Sequence, residues 1–170
     1  MAVDWLTFGM SLFGGAGGAL LLDLWWKPRY AKKRAAVLLS AEVQKNRDLI
    51  EDRLPKIDGR TRIWRDFILP RIALDATIAD LGHFPVPVAQ AVVCLYHDYA
   101  RILRTYDLQV EAFNDTIGPG EPDERLTKNF EQSSLALLQV MTRGVQASNE
   151  MLEALEVEAA RSLWPGRRAP

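Results

Sequence analysis

The amino-terminal stretch is the feature that most constrains the structure of this chain. No charged residue occurs from Trp5 to Leu22, and a basic cluster follows a few positions later. A helix rises about 1.5 Å per residue, so residues 5–26 would reach roughly 33 Å, enough to cross a hydrocarbon core of about 30 Å. The sequence therefore predicts one membrane-spanning helix, with residues 1–27 as the anchor and residues 28–164 as a helical domain.

Aromatic and basic residues at the two ends of this run predict its depth in the bilayer. Indole rings favour the layer between headgroups and hydrocarbon, and Trp occurs at both ends. Asp23 is the one discordant residue, and we expect it at the interface, where it can reach the headgroups or pair with Lys27. The residues predicted to anchor the chain at the membrane interface are Trp5, Trp25, Trp26, Lys27, Arg29, Lys32, Lys33 and Arg34.

Charge asymmetry predicts the orientation of the span. Asp4 is the only charged residue before the run, whereas the basic cluster lies directly after Trp26. The carboxyl-terminal side of the span is therefore expected in the cytoplasm. The expected membrane is the inner (plasma) membrane. A cleaved signal peptide would instead need positive charge before the run and a small-residue cleavage site after it. A glycine-rich hairpin or core helix of a soluble protein is the remaining alternative.

Two glycines inside the run suggest a contact with another membrane helix. Gly14 and Gly18 are four residues apart, so a helix places both on one face, where another helix backbone can approach closely. The expected partner is an integral membrane protein or a second copy of the chain. The alternative explanation is that glycine is simply common in membrane helices.

Composition limits what the remaining residues can be. With 25% charged and 48% hydrophobic residues, the chain has the balance of an ordinary folded protein. A net charge of −1 gives no reason to expect nucleic acid, so anionic membrane lipid is the predicted contact of the basic cluster. Cys94 is the only cysteine, which excludes an internal disulfide and agrees with a reducing compartment.

The pattern of apolar residues predicts an all-α fold, an antiparallel bundle of about four main helices with a flexible tail at 165–170. Helical turns are expected over 61–69 and a helix over 72–81, and the last helix is expected to bend near Gly144 or to project beyond its neighbours. The predicted core positions are Ala35, Leu39, Val43 and Ile50 in the first helix, Val88, Val92, Leu95, Tyr99, Ile102, Tyr106, Val110 and Phe113 in the next long one, and Leu138, Met141, Val145, Ser148, Leu152, Leu155 and Ala159 in the last.

No catalytic, metal or cofactor site is predicted from the residues. Cys94 and His97 share a helix face, but two ligands are too few for zinc and the face points away from the predicted core. No phosphate-binding loop or nucleophile elbow occurs. Carboxylates are predicted to decorate solvated helix faces, namely Asp48, Glu51, Asp52, Glu150, Glu153, Glu156 and Glu158.

These features together predict a non-catalytic, single-pass membrane protein that serves as an accessory or scaffolding subunit of a larger membrane complex. The first alternative is a membrane-tethered signalling or defence module, whose bundle would respond to a cytoplasmic ligand or partner with the break at Gly82–Pro87 as a hinge. A weaker alternative is self-assembly of the span into a small channel.

Overall fold

The computed structural model describes residues 19, 22–57, 67–116 and 123–161. Within these ranges the chain is helical and holds no strand, which confirms the predicted all-α class. A short π-helical turn precedes the first α-helix, and 3₁₀ turns follow the first and second. The α-helices are α1 (Lys27–Arg53), α2 (Ile72–Thr77), α3 (Val86–Thr116) and α4 (Glu124–Ala160), and the turns are Leu22–Trp26, Leu54–Lys56 and Ile78–His83.

The longest helix, α4, packs along both α1 and α3. Lys32 and Arg47 of α1 contact Glu158 and Asn149 of α4, so these two helices run in opposite directions. The pairs Tyr99–Ser148 and Gln109–Ser134 show the same for α3 and α4. Helix α4 is therefore antiparallel to both neighbours, whereas α1 and α3 run in the same direction, since Glu42 meets Tyr96 and Ile50 lies near Ile102 at Gly144. The predicted antiparallel bundle of about four main helices is found only in part, because three helices are long and α2 has six residues.

Helix α1 follows the π-helical turn without a break in helical backbone. Trp26, the residue before α1, has α-helical dihedral angles, and Pro28 lies in the first turn of the α-helix. The predicted core positions of this helix, from Ala35 to Ile50, are all buried. The periodicity of apolar residues therefore identified the inner face of α1 correctly.

The core face of α3 also agrees with the predicted pattern. Val92, Leu95, Tyr99, Ile102 and Tyr106 are buried. The predicted positions at the two ends of the helix, Val88, Val110 and Phe113, are half-buried. The helix begins at Val86, between Pro85 and Pro87, within the predicted break at Gly82–Pro87.

The core face of helix α4 agrees with the predicted one in part, since Met141, Ser148, Leu152 and Leu155 are buried and Leu138, Val145 and Ala159 are half-buried. The Asp123 side chain caps the helix by accepting a hydrogen bond from the Arg125 amide at 2.8 Å. In its first half, Leu137 rather than Leu138 is fully buried. The buried positions follow one another at steps of three and four, namely Ser134, Leu137, Met141, Gly144, Ser148, Met151, Leu155 and Glu158, with Leu152 beside them.

Gly144 serves close packing in this structure, and α4 runs through it without interruption. A methyl group added at Gly144 would lie 2.6 Å from Ile102 Cδ1 and 3.8 Å from Ile50 Cδ1. The glycine therefore lets α4 approach side chains of both other long helices. The helix has no break at Gly144, where the sequence suggested a bend.

The connection between α1 and α3 is less helical than predicted. Residues 67–70 lack regular structure, so the described part of the predicted turns at 61–69 is not helical. The chain then forms α2 and a 3₁₀ turn where one helix over 72–81 was expected. Phe67 nevertheless belongs to the core, because its ring lies 5.3 Å from that of Tyr106.

No helix within the described ranges is long and apolar enough to span a membrane. The predicted span covers residues 5–26, and residues 5–18, 20 and 21 of it lie outside the described residues.

Candidate functional site at the joined ends of α1 and α4

The basic cluster at the start of α1 forms several distinct contacts. Lys27 pairs with Asp23 one turn earlier, which is one of the two contacts predicted for Asp23, and both side chains are exposed. The Arg29 guanidinium lies 4.0 Å from the centre of the Trp25 ring, a cation–π arrangement. Trp25 and Trp26 are half-buried. Indole rings and cationic side chains therefore lie close together at this end of the helix.

Lys32 points into the bundle rather than away from it. Its ammonium group forms an ion pair with Glu158 of α4, and the two side chains are 17% and 2% exposed. The same ammonium lies 5.7 Å from the centre of the Phe84 ring. Arg161 adds a second cation, with Nη2 at 3.1 Å from Glu158 Oε1. Lys32 thus joins the start of α1 to the end of α4.

The prediction that Glu158 decorates a solvated face is wrong. The residue is 3% exposed and lies in the last turn of α4, where the helix dipole disfavours a negative charge. Two cations offset that disadvantage. The sequence did carry a signal, because Glu158 continues the spacing of Ser148, Met151 and Leu155 along the buried face. The other predicted surface carboxylates are exposed as expected, namely Asp48, Glu51, Asp52, Glu150, Glu153 and Glu156.

The remaining members of the predicted interface set are placed as follows. Lys33 is half-buried and Arg34 is exposed. Neither forms an ion pair with a described residue. Trp5, Gly14 and Gly18 lie outside the described residues, so their predicted roles in anchoring and helix packing stay predictions.

A second buried carboxylate, Glu42, was not singled out from the sequence. It lies on the core face of α1, three residues after Leu39, and is 8% exposed. It accepts a short hydrogen bond from the Tyr96 hydroxyl and one of 2.7 Å from the Ala73 amide, with the Leu74 amide at 3.5 Å. Glu42 therefore holds the start of α2 and a phenol of α3 on α1.

Asn46, one turn further along α1, strengthens the same junction. Its side-chain Nδ2 donates a hydrogen bond of 2.9 Å to the Pro70 carbonyl oxygen, and the residue is fully buried. Together with Glu42 it fixes residues 70–74 against α1. Polar side chains therefore replace the regular apolar packing where the chain leaves helical structure.

Two buried tyrosines lie between α1, α3 and α4. The Tyr96 and Tyr99 rings are 5.5 Å apart at near-perpendicular angles. Burial, with the Glu42 carboxylate next to it, raises the pKa of Tyr96 well above its usual range, and burial raises the pKa of Tyr99 to about 12. Both phenols are therefore protonated at neutral pH and available as hydrogen-bond donors.

Tyr99 uses that proton to link α3 to α4. Ser148 Oγ donates its single proton to the Gly144 carbonyl oxygen at 2.6 Å. The 2.8 Å contact between Tyr99 and Ser148 must then have the tyrosine as donor. The interior of the bundle is thus held by directional polar contacts as well as by apolar packing.

Cys94 and His97 are exposed, so the predicted position of both outside the core is confirmed. Among the described residues no three His, Cys, Asp or Glu side chains are grouped closely enough to hold a metal ion.

Comparisons of the chain with protein-family models, with curated proteins and with solved structures find no match.

Proposed function

We propose that the chain is a non-catalytic, single-pass membrane protein whose cytoplasmic bundle serves as an accessory or scaffolding subunit of a larger membrane complex. In this proposal residues 5–26 cross the inner (plasma) membrane with the amino terminus outside. Gly14 and Gly18 pack against a partner span, and the tryptophans and cations that follow contact the headgroups.

The observation that carries the proposal is the way the bundle is joined to its amino-terminal segment. Helical backbone continues from Leu22 to Arg53, so no flexible linker separates the end of the apolar run from the bundle. The Lys32–Glu158 ion pair ties the end of α4 to the same place. A bundle held in this way keeps a fixed position relative to its anchor, which a scaffolding subunit requires and a freely tethered domain does not.

The order of charges around Trp25 supports the membrane role of this end. Lys27 and Arg29 lie within one turn of the two indole rings, and the pairing of Lys27 with Asp23 reduces the cost of a carboxylate near the bilayer. Lys32 has a different role, because its ammonium group is committed to Glu158. The lipid contact is therefore assigned chiefly to the cations on the outer side of the helix, including Arg34.

A double substitution in the span tests the proposal. Gly14→Ile with Gly18→Ile should remove the groove for a partner helix, so the partner membrane protein should be lost from the native assembly isolated in a mild detergent. The bundle should remain folded, because both positions precede the helical domain at 28–164 in the sequence. The measurement is the mass of the complex by native electrophoresis or light scattering, with helix content from circular dichroism.

Ala16→Ile is the matched control, since a helix places position 16 on the side opposite Gly14 and Gly18. It adds the same side chain to the same segment and should leave the assembly intact. An assembly that survives the glycine substitutions would contradict the assigned packing face. A wild-type chain that is isolated alone and monomeric at native expression would contradict the scaffolding role itself.

A further inference from the structure

The outer face of α1 combines apolar and cationic side chains and is not covered by any described part of the chain. Tyr30 is 56% exposed and Val37 is 53% exposed, and both lie opposite the buried positions of the helix. Arg34 and Lys45 flank Val37 along the same side, and both are exposed. We call Tyr30, Arg34, Val37, Ala41 and Lys45 the α1 outer face; they recur at steps of three or four residues.

None of these five residues is acidic; Asp48, which follows on the same side three residues after Lys45, is exposed and accepts hydrogen bonds from Gln44 and Arg47. From residue 24 to residue 47 the only carboxylate is Glu42, which is buried against Tyr96. Over the same stretch the chain has seven Lys and Arg residues, of which Lys32 is used inside the bundle. The exposed surface is therefore positively charged around an apolar centre, and a complementary partner must supply carboxylates around an apolar residue.

The outer face of α4 has that complementary chemistry. No Lys or Arg occurs between Arg143 and Arg161. Glu150 and Glu153 are exposed, and Val157, one turn further along, is 58% exposed. Together with Gln146 these three residues form the α4 outer face, again at steps of three or four residues and opposite the buried positions.

The contacts inside the molecule show that the two faces are at matching heights. Lys32 contacts Glu158, and Arg47 contacts Asn149. A residue further along α1 therefore lies beside a residue earlier in α4. Lys45 therefore lies near the height of Glu150, and Ala41 near that of Glu153. By the same reasoning Val37 lies within one turn of Val157.

We propose that two copies of this chain dimerise through these faces, the α1 outer face of each copy packing on the α4 outer face of the other. A two-fold axis parallel to the helices preserves the heights, so that lysine meets glutamate and valine approaches valine in both halves of the interface. The axis also leaves the starts of both α1 helices at the same end of the dimer. The proposal does not depend on insertion into a membrane.

A charge-swap experiment on the full-length chain tests this dimer. The α1 variant carries Ala41→Glu and Lys45→Glu, and the α4 variant carries Glu150→Lys and Glu153→Lys. Each variant alone should lose at least about tenfold in association constant, because like charges then face each other in both halves. The measurement is sedimentation velocity at low salt in one mild detergent, where the wild type should be a dimer that weakens as salt is added.

Mixing the two variants gives the decisive result. In a mixed dimer glutamates of the α1 variant face lysines of the α4 variant, while the other half keeps its wild-type charges, so the dimer should return to wild-type strength. Combining all four substitutions in one chain should restore it as well. A wild-type chain that stays monomeric in this experiment, or variants that do not rescue each other, would overturn the proposal.

The glycine substitutions described above keep the two proposals distinguishable. Gly14→Ile with Gly18→Ile should leave the charge-dependent dimer in place, since neither outer face contains these positions. Loss of rescue between the charge variants would equally leave the membrane-scaffold proposal standing.

Discussion

Lys32→Met is expected to lower the free energy of unfolding by about 2–4 kcal/mol, because it leaves the Glu158 carboxylate buried with one cation fewer. Arg161 remains near Glu158, but its side chain is 57% exposed and compensates only in part. Chemical denaturation of the full-length chain, followed by circular dichroism, measures the change. Lys33→Met is the matched control and should change stability by about 0.5 kcal/mol or less, since Lys33 has no ion pair with a described residue.

The double variant Lys32→Met, Glu158→Leu sharpens this result. Replacing both members of a buried ion pair by apolar side chains of similar volume is often neutral or stabilising, so the double variant should regain most of the lost stability. If the effects of the two single substitutions instead simply add, Lys32 and Glu158 do not act as a pair. A Lys32→Met chain as stable as the control would also contradict the buried contact.

Glu42→Leu is the second substitution with a large expected effect. The carboxylate accepts hydrogen bonds from the Tyr96 hydroxyl and the Ala73 amide, and removing it leaves both donors buried without a partner, at about 1–3 kcal/mol for each. The loss should concentrate where Glu42 holds the chain, so amide hydrogen exchange should accelerate at Ala73 and Leu74 more than in the long helices.

Two further variants isolate the cause of that effect. Glu51→Leu places the same side chain at an exposed position of the same helix and should leave the exchange rates at α2 unchanged. Tyr96→Phe removes one donor while keeping the ring, and it should destabilise the chain less than Glu42→Leu does. Uniformly faster exchange in α3 and α4 after Glu42→Leu would mean that the residue supports the whole bundle rather than the α2 junction.

The helices of this protein were largely predictable because their apolar residues repeat at helical spacing. Ala35, Leu39, Val43 and Ile50 define the inner face of α1 without any knowledge of its neighbours. The assignment was right only in part in α4: Met141, Ser148, Leu152 and Leu155 are buried as predicted, whereas Leu137 and Gly144 are buried where Leu138 and Val145 were expected. The small residues Ser134 and Gly144 on the buried face weaken the apolar signal there. Gly144 is suited to its position because Ile102 of α3 packs closely against it. That contact joins two helices, so it cannot be inferred from the pattern of one helix.

The polar contacts of the bundle were not predictable in the same way. Glu158 looks like its neighbours Glu153 and Glu156, and only the presence of Lys32 across the bundle makes its burial favourable. Glu42 is buried because two amides of α2 come within reach, and that approach depends on a connection that is not helical. Sequence periodicity predicts which face of a helix is buried. It does not predict the partner of a buried charge, because that partner belongs to another part of the chain.

Extraction of membranes with alkaline carbonate tests the central proposal most directly, because it releases proteins held by surface charge and retains those that cross the bilayer. Cells expressing the full-length chain at native level are broken, and the membrane fraction is washed before and after the extraction. We expect the chain to stay in the membrane pellet after carbonate and to leave it only with detergent. Recovery of the chain in the soluble fraction, or its release by carbonate, would contradict the membrane-spanning segment and with it the proposed function.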